Sequence, residues 1–379
     1  MKRRPGRRQT AGEPGAVAAV GLAADVIAWQ RAHGRHALPW QQGTDPYLIW
    51  LSEVMLQQTQ VATVIPYYEA FLRAFPTVAD LARAPADRVM AAWSGLGYYS
   101  RARNLQAAAR LVVERHGGVF PAEAAALEAL PGIGRSTAAA IAVFAFGSRN
   151  AILDGNVKRV FARVFRIEGH TGEAAVERRL WAHAEAEMPP PGAPVADLRA
   201  YTQGLMDLGA TVCTRSRPQC PRCPLHARCA AYAAGVVERH PAPRPRRVIP
   251  VREFDLLLAM RGHSVLLQER PPTGIWGGLW SLPELDRAAP EAGLARAGLA
   301  LPREPLQEVA RFEHAFTHFR MKARVWGAEV GAESDHRATV VARDGPPLHW
   351  LPIDEAATAP LPRPVRTLLE TLSEPIGRA

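Results

Sequence analysis

Four cysteines are all that this chain contains, and they stand together: Cys213, Cys220, Cys223 and Cys229, spaced C-x6-C-x2-C-x5-C. Disulfides of a secreted protein are spread over its loops. Four thiols on one short stretch suit a single metal centre in a reducing compartment. Structural zinc usually shows two close C-x2-C pairs, whereas here one such pair sits between longer arms. Arms of that length can wrap an iron–sulfur cubane, which takes four cysteine ligands. The loop therefore reads as a metal centre, either [4Fe–4S] or zinc. Arg215, Arg217, Arg222, His226 and Arg228 form a basic rim, which is either a solvated surface or a charge for phosphates.

Two carboxyl groups are candidates for acid–base work. Glu53 lies in a run with helical spacing whose apolar side is Leu51, Val54, Met55, Val61 and Ile65. A carboxyl in apolar surroundings holds its proton to higher pH, which suits a general acid near neutrality; an exposed helix glutamate has the same local sequence. Asp154 follows the apolar Ala151-Ile-Leu153 and precedes a helical pattern that starts near Val157. It reads as an N-cap or as a carboxylate at a pocket mouth, with Asn156 placed to cap or orient it.

These groups need elements to hold them. Helical patterns over Glu123–Ala129 and Ala138–Phe146 flank Leu130-Pro-Gly132-Ile133-Gly134. Two glycines around one apolar residue permit a tight turn and expose amides at a helix start, an anion site suited to a backbone phosphate. This is a helix-hairpin-helix pattern, which grips DNA without reading sequence. The charge balance agrees: 46 Lys and Arg against 36 Asp and Glu, a net +10 over 379 residues, favours a polyanionic partner.

No apolar run reaches the roughly eighteen residues of a membrane span. The first residues read as a disordered basic tail (1–15) rather than a secretion signal, because Glu13 and Asp25 bracket the alanine-rich run that follows. A helical region is expected over 16–234 and a Pro/Arg-rich linker over 235–248. A small α+β domain is expected over 249–375, with strands at 254–260, 265–268, 321–326 and 339–342 and helices at 289–297 and 364–372. No internal repeat is present.

In order along the chain come Trp40, Trp50-Leu-Ser-Glu-Val-Met-Leu-Gln-Gln-Thr-Gln60, Gly95-Leu-Gly-Tyr-Tyr99 and Leu130-Pro-Gly-Ile-Gly134. Leu153-Asp-Gly-Asn-Val-Lys-Arg159, the cysteine loop and Gly274-Ile-Trp-Gly-Gly-Leu279 follow. This series resembles the adenine DNA glycosylase family of the helix-hairpin-helix, endonuclease III superfamily, over residues 16–375. The resemblance implies an all-α helix-hairpin-helix glycosylase core with an iron–sulfur loop, plus a C-terminal α+β Nudix-like domain. It implies one [4Fe–4S] cluster on Cys213, Cys220, Cys223 and Cys229. It also implies hydrolytic release of adenine opposite 8-oxoguanine or guanine in double-stranded DNA, by a monomeric, cytoplasmic bacterial enzyme with no membrane partner.

Site roles follow from the same resemblance. Glu53 would protonate adenine N7, and Asp154, ionised with a low pKa and aided by Asn156, would stabilise an oxocarbenium ion. Gln58 and Tyr98 would wedge into the vacated stack. Arg35, Trp40, Gln203, Met206, Asp207 and Ser136 would surround the base, and Gly132, Ile133 and Gly134 would hold a phosphate. Phe316, Thr317 and His318 would sense 8-oxoguanine, with threonine where the family often has serine. Ser136 also stands where endonuclease III-type lyases, the alternative reading, carry lysine; a hydroxyl cannot form their Schiff base, so an essentially monofunctional glycosylase is expected. After Gly274–Trp280 comes Ser281-Leu-Pro-Glu284 without the glutamate-rich Nudix metal signature, so the second domain is expected to recognise without hydrolysing nucleotides.

Overall fold

The computed structural model describes residues 21–244, 248–286, 305–330, 339–340 and 347–373. The expected basic tail, the helix at 289–297 and the residues after 373 lie outside the described residues. The chain forms two compact units, residues 21–54 with 120–244 and residues 55–119 with 248–373. The helical region expected as one domain is thus shared between them.

The first unit holds α1 (Gly21–His33), most of α2 (Pro46–Leu56), α7 (Ala124–Glu128), α8 (Arg135–Phe146), α9 (Gly155–Val164), α10 (Ala174–Ala186), α11 (Val195–Thr211) and α12 (Ala230–Ala233). Leu22, Val26, Ile27, Val157, Phe161, Leu180, Leu205 and Leu208 meet in one core, and each large apolar side chain there contributes about 1.5–3 kcal/mol. Helix α11 approaches α1 and α9 closely because it carries glycines at the crossings. A Cβ on Gly204 would stand 2.7 Å from Val26 Cγ1, and one on Gly209 would stand 2.5 Å from Asn156 Cβ.

The stretch expected as linker from 235 begins as folded chain. His240 is buried, Ala242 N donates to Gly169 O at 3.2 Å, and the buried Arg163 donates through Nε to Val237 O and His240 O. One guanidinium collects carbonyls that would otherwise need water, which holds this Pro-rich segment against the unit.

The second unit combines α3 (Val61–Ala74), α4 (Val78–Arg83), α5 (Ala86–Trp93) and α6 (Ser100–His116) with a sheet. Phe71 packs at a tilt on Phe75 and edge-on to Trp93 in the helical part, and Thr77 and Asp80 close a capping box on α4. The strands are β1 (Val251–Arg261), β2 (Ser264–Glu269), β3 (Trp280–Ser281), β4 (Gln307–Ala315), β5 (Arg320–Glu329), β6 (Thr339–Val340) and β7 (Leu348–Pro352), followed by α13 (Ile353–Thr358) and α14 (Arg363–Ser373). The order is β4-β5-β1-β2-β7-β6, with β3 on β2; β1 and β5 are parallel and the other pairs antiparallel. Leu257, Leu266, Leu348 and Trp350 form its core. Strands β4 and β7 were not expected from sequence. Strand β4 is a sheet edge with no fully buried residue, and β7 is short and ends on Pro352.

Candidate active site

Glu53 projects from α2 beside Trp50 and Val54, both buried. Burial, and secondarily the charge of Asp154, raise its carboxyl from 4.5 to about 8. Asp154 is the N-cap of α9, its Oδ1 accepting from Val157 N at 2.7 Å. The N-cap reading of Asp154 holds, and its charge acts on Glu53. The expected low pKa does not hold. Burial pushes Asp154 above its ordinary value and outweighs the amides of Val157 and Asn156 and the nearby Arg159 charge. Those donors favour the Asp154 carboxylate, and its charge adds to burial in holding the proton on Glu53.

The neighbours of Asp154 are tied down. Asn156 Nδ2 stands 3.5 Å from Asp154 Oδ2, and Asn156 Oδ1 accepts from Arg159 Nη2 at 2.7 Å. The same Nη2 donates to Gly209 O at 2.7 Å, and Arg159 Nε donates to Cys213 O at 2.7 Å. Ser136 Oγ accepts from Leu153 N at 2.9 Å, so this residue fixes the backbone just before Asp154. Lys158, by contrast, is paired with Glu177 at 2.6 Å.

A second polar group forms around the fully buried Asp207 of α11. It accepts from Arg35 N at 2.8 Å, from Arg35 Nε at 2.7 Å and from Gln203 Nε2 at 2.8 Å. Trp40 is buried, and Met206 packs on the core of the unit. Three of the expected pocket residues, Arg35, Gln203 and Asp207, thus form one hydrogen-bonded cluster.

The four cysteines line a single cavity together with Arg163, Val160 and Val212. Arg163 Nη1 donates to Cys213 Sγ at 3.3 Å, and Cys229 Sγ donates to Arg163 O at 3.4 Å. Burial raises Cys220, Cys223 and Cys229, Cys223 to about 12. Such thiols become thiolates when a cation binds. Among the described residues no group of three or more His, Cys, Asp or Glu meets the spacing of a metal-ion site; the sulfurs share a cavity rather than a point. Four thiols on one cavity are the donor set that a metal–sulfur centre would take.

The hairpin between α7 and α8 has the expected form. Gly132 turns with φ 77°, Ile133 is buried, and Gly134 caps α8. In the second unit, Gln58 and Tyr98 are exposed at the tips of two turns, with φ of 59° and 49°. A left-handed non-glycine residue costs about 1–2 kcal/mol, so both turns must be held. Phe316, Thr317 and His318 form the β4–β5 connection, where Phe316 N donates to Phe319 O at 2.9 Å and Phe316 stacks on Phe319.

Residues 51–185 match the sequence model of the HhH-GPD superfamily of base excision DNA repair proteins, and residues 256–371 match that of the NUDIX domain. The chain is 38% identical to the adenine DNA glycosylase of Buchnera aphidicola subsp. Baizongia pistaciae over 263 residues, 69% of this chain and 73% of that one. It is 30% identical to the adenine DNA glycosylase of Buchnera aphidicola subsp. Acyrthosiphon pisum over 351 residues, 93% of this chain and 97% of that one. The human adenine DNA glycosylase is 34% identical and the match covers 88% of this chain and 70% of that one. The chain belongs to the adenine DNA glycosylase family. Its fold is accordingly a helix-hairpin-helix core with a C-terminal Nudix-like domain, and among the described residues no helix is long and apolar enough to cross a membrane.

For this member of the family, sequence reasoning missed the buried arginines. Arg101 is 6% exposed. It donates to Met55 O and Gln57 O at 2.7 Å, beside the Gln58 turn, and to Leu96 O and Gly97 O at 3.2 and 3.1 Å, beside the Tyr98 turn. One guanidinium therefore pins both the Gln58 turn and the Tyr98 turn. Arg101 shares the buried face of α6 with Ala102, Leu105 and Ala109, and Arg163 lies between the buried Phe161 and Val164 on α9.

Proposed function

We propose that this enzyme hydrolyses the N-glycosidic bond of adenine paired with 8-oxoguanine or guanine in duplex DNA. The single observation that carries the reading is the pair formed by Glu53 and Asp154. Glu53 holds its proton to about 8, and the amides and the guanidinium around Asp154 favour its carboxylate. A protein that only bound DNA would need neither property.

An adenine inside a duplex is out of reach, so the nucleotide is flipped at a cost of a few kcal/mol. Gln58 and Tyr98 fill the space it leaves, and the Gly132–Gly134 hairpin receives a backbone phosphate. Glu53 donates its proton to adenine N7, which makes the base a neutral leaving group. As the C1′–N9 bond breaks, the sugar gains oxocarbenium character, and the Asp154 carboxylate opposes that charge at close range. Water adds at C1′, and its proton goes to the Glu53 carboxylate, which restores the starting state. Arg35, Trp40, Gln203, Met206 and Asp207 shape the base pocket. Serine at 136 provides no amine for a Schiff base, so strand cleavage is not part of the cycle.

Cys213, Cys220, Cys223 and Cys229 would hold one [4Fe–4S] cluster, whose chemistry here is to crosslink the loop and balance the charges of Arg159 and Arg163. The Nudix-like domain would read 8-oxoguanine through Phe316, Thr317 and His318, the Thr317 hydroxyl being a partner for the altered N7–H edge.

The test is a duplex with one A:8-oxoguanine pair, treated with alkali to reveal abasic sites, beside thymine glycol and undamaged duplexes. Adenine release from the first alone is expected. Release from thymine glycol with strand nicking would instead favour an endonuclease III-like lyase.

A further inference from the structure

The turn that presents Tyr98 begins at Ser94 and runs into α6, which carries Arg103. Both of these residues bond to the C-terminal domain within the same unit. Ser94 Oγ donates to Leu361 O at 2.8 Å and accepts from Arg366 Nη2 at 2.9 Å. Arg366 Nη2 also donates to Ala359 O at 2.8 Å. At the other end, Arg103 Nη1 donates to Gly277 O at 2.6 Å. Gly277 follows Trp276, whose buried ring lies 6.0 Å from His314 and 6.1 Å from Phe316. A continuous line of packed groups therefore joins the β4–β5 segment to the base of the Tyr98 turn.

We propose that Arg103 and Arg366 are positioning residues that fasten both ends of the Tyr98 turn to the C-terminal domain, so that Phe316–His318 and Tyr98 engage one oxidised guanine as a single rigid unit. The proposal rests on the wedge and 8-oxoguanine roles given above. A wedge and a recognition loop on separate bodies would each lose orientational freedom when DNA binds. Joined through the Arg103–Gly277 contact and through Ser94, which bonds both Arg366 and Leu361, they lose it once, at folding. Tyr98 sits at a left-handed φ, a conformation that persists only while its surroundings hold it. The anchors thus act on the contact that distinguishes 8-oxoguanine from guanine more than on the chemistry at adenine.

The experiment uses the full-length, cluster-loaded protein and duplexes carrying a non-cleavable 2′-fluoro-deoxyadenosine opposite 8-oxoguanine or guanine. Dissociation constants give the preference, and thermal melting reports the fold. Arg103→Met and Arg366→Met are each expected to melt like wild type and to lose about tenfold of the preference. Arg103→Lys and Arg366→Lys, which keep a donor, should recover most of it, and Ser94→Ala should reproduce Arg366→Met. In a Tyr98→Ala background the Met substitutions should have no further effect. An unchanged preference in Arg103→Met, Arg366→Met and Ser94→Ala, or losses that add fully to that of Tyr98→Ala, would overturn the proposal. Wild-type protein without any preference, or Tyr98→Ala indistinguishable from wild type, would instead overturn the roles on which it rests, and the proposal with them.

Discussion

Asp154 lies close enough to Glu53 for its charge to reinforce burial in keeping the Glu53 proton to about 8. The amides of Val157 and Asn156 and the Arg159 guanidinium favour the Asp154 carboxylate. Both carboxyls are raised by desolvation, so the donors that favour the carboxylate at Asp154, rather than a low Asp154 pKa, separate their roles.

The rate of base release should therefore fall above pH 8, by about tenfold per unit, as Glu53 loses its proton. The acidic limb should lie above the ordinary aspartate value, since burial raises Asp154. Stability has a matching signature. Between 4.5 and about 8 the folded chain keeps a proton on Glu53 that the unfolded chain releases. Each pH unit through that window should cost up to about 1.4 kcal/mol of stability. Glu53→Gln should flatten this slope in chemical denaturation at several pH values.

Asp154→Asn keeps a cap but removes the charge. Base release should drop by at least about a hundredfold, and any residual activity should lose its alkaline limb at lower pH because Glu53 ionises more easily. Asp154→Ala should additionally destabilise the fold by about 1 kcal/mol through the lost cap. Single-turnover kinetics and denaturation distinguish the two effects.

The candidate residues stand out in sequence because each leaves a local mark. The cysteines are clustered, Asp154 precedes a helical pattern, and Gly132 and Gly134 bracket one apolar residue. What stayed hidden depends on burial or long-range packing. Nothing near Asp154 in sequence shows that it is desolvated. Arg101, Arg159 and Arg163 look like surface residues until the carbonyls of distant loops close on them. Strand β4 alternates half-buried with exposed residues, so it lacks the apolar run that marks β1 and β2. Residues 55–119 read as part of one helical domain, yet Ser94 bonds Leu361 and Arg366 and Arg103 bonds Gly277 of the C-terminal part.

Ser136→Ala should cost about 1 kcal/mol, because Leu153 N loses its acceptor. Ser136→Lys loses that acceptor as well but gains an amine, so it should raise strand nicking and borohydride trapping on A:8-oxoguanine duplexes. An unchanged nicking rate would count against the assignment of this position.

Cys220→Ser should abolish the broad visible absorption of an iron–sulfur cluster and lower Tm by roughly 5 °C or more. The loss should extend to catalysis, because Arg159 bonds both Cys213 O and Asn156. A full complement of zinc in the wild-type protein, read by elemental analysis, would refute the cluster assignment.

The most direct measurement is adenine release from a duplex with a single A:8-oxoguanine pair by wild type and Glu53→Gln, with binding to the same duplex measured in parallel. The wild type should release the base, and the variant should bind within about tenfold of wild-type affinity but release none. Near-wild-type turnover by Glu53→Gln would contradict the account, as would a wild-type enzyme that leaves this adenine in place.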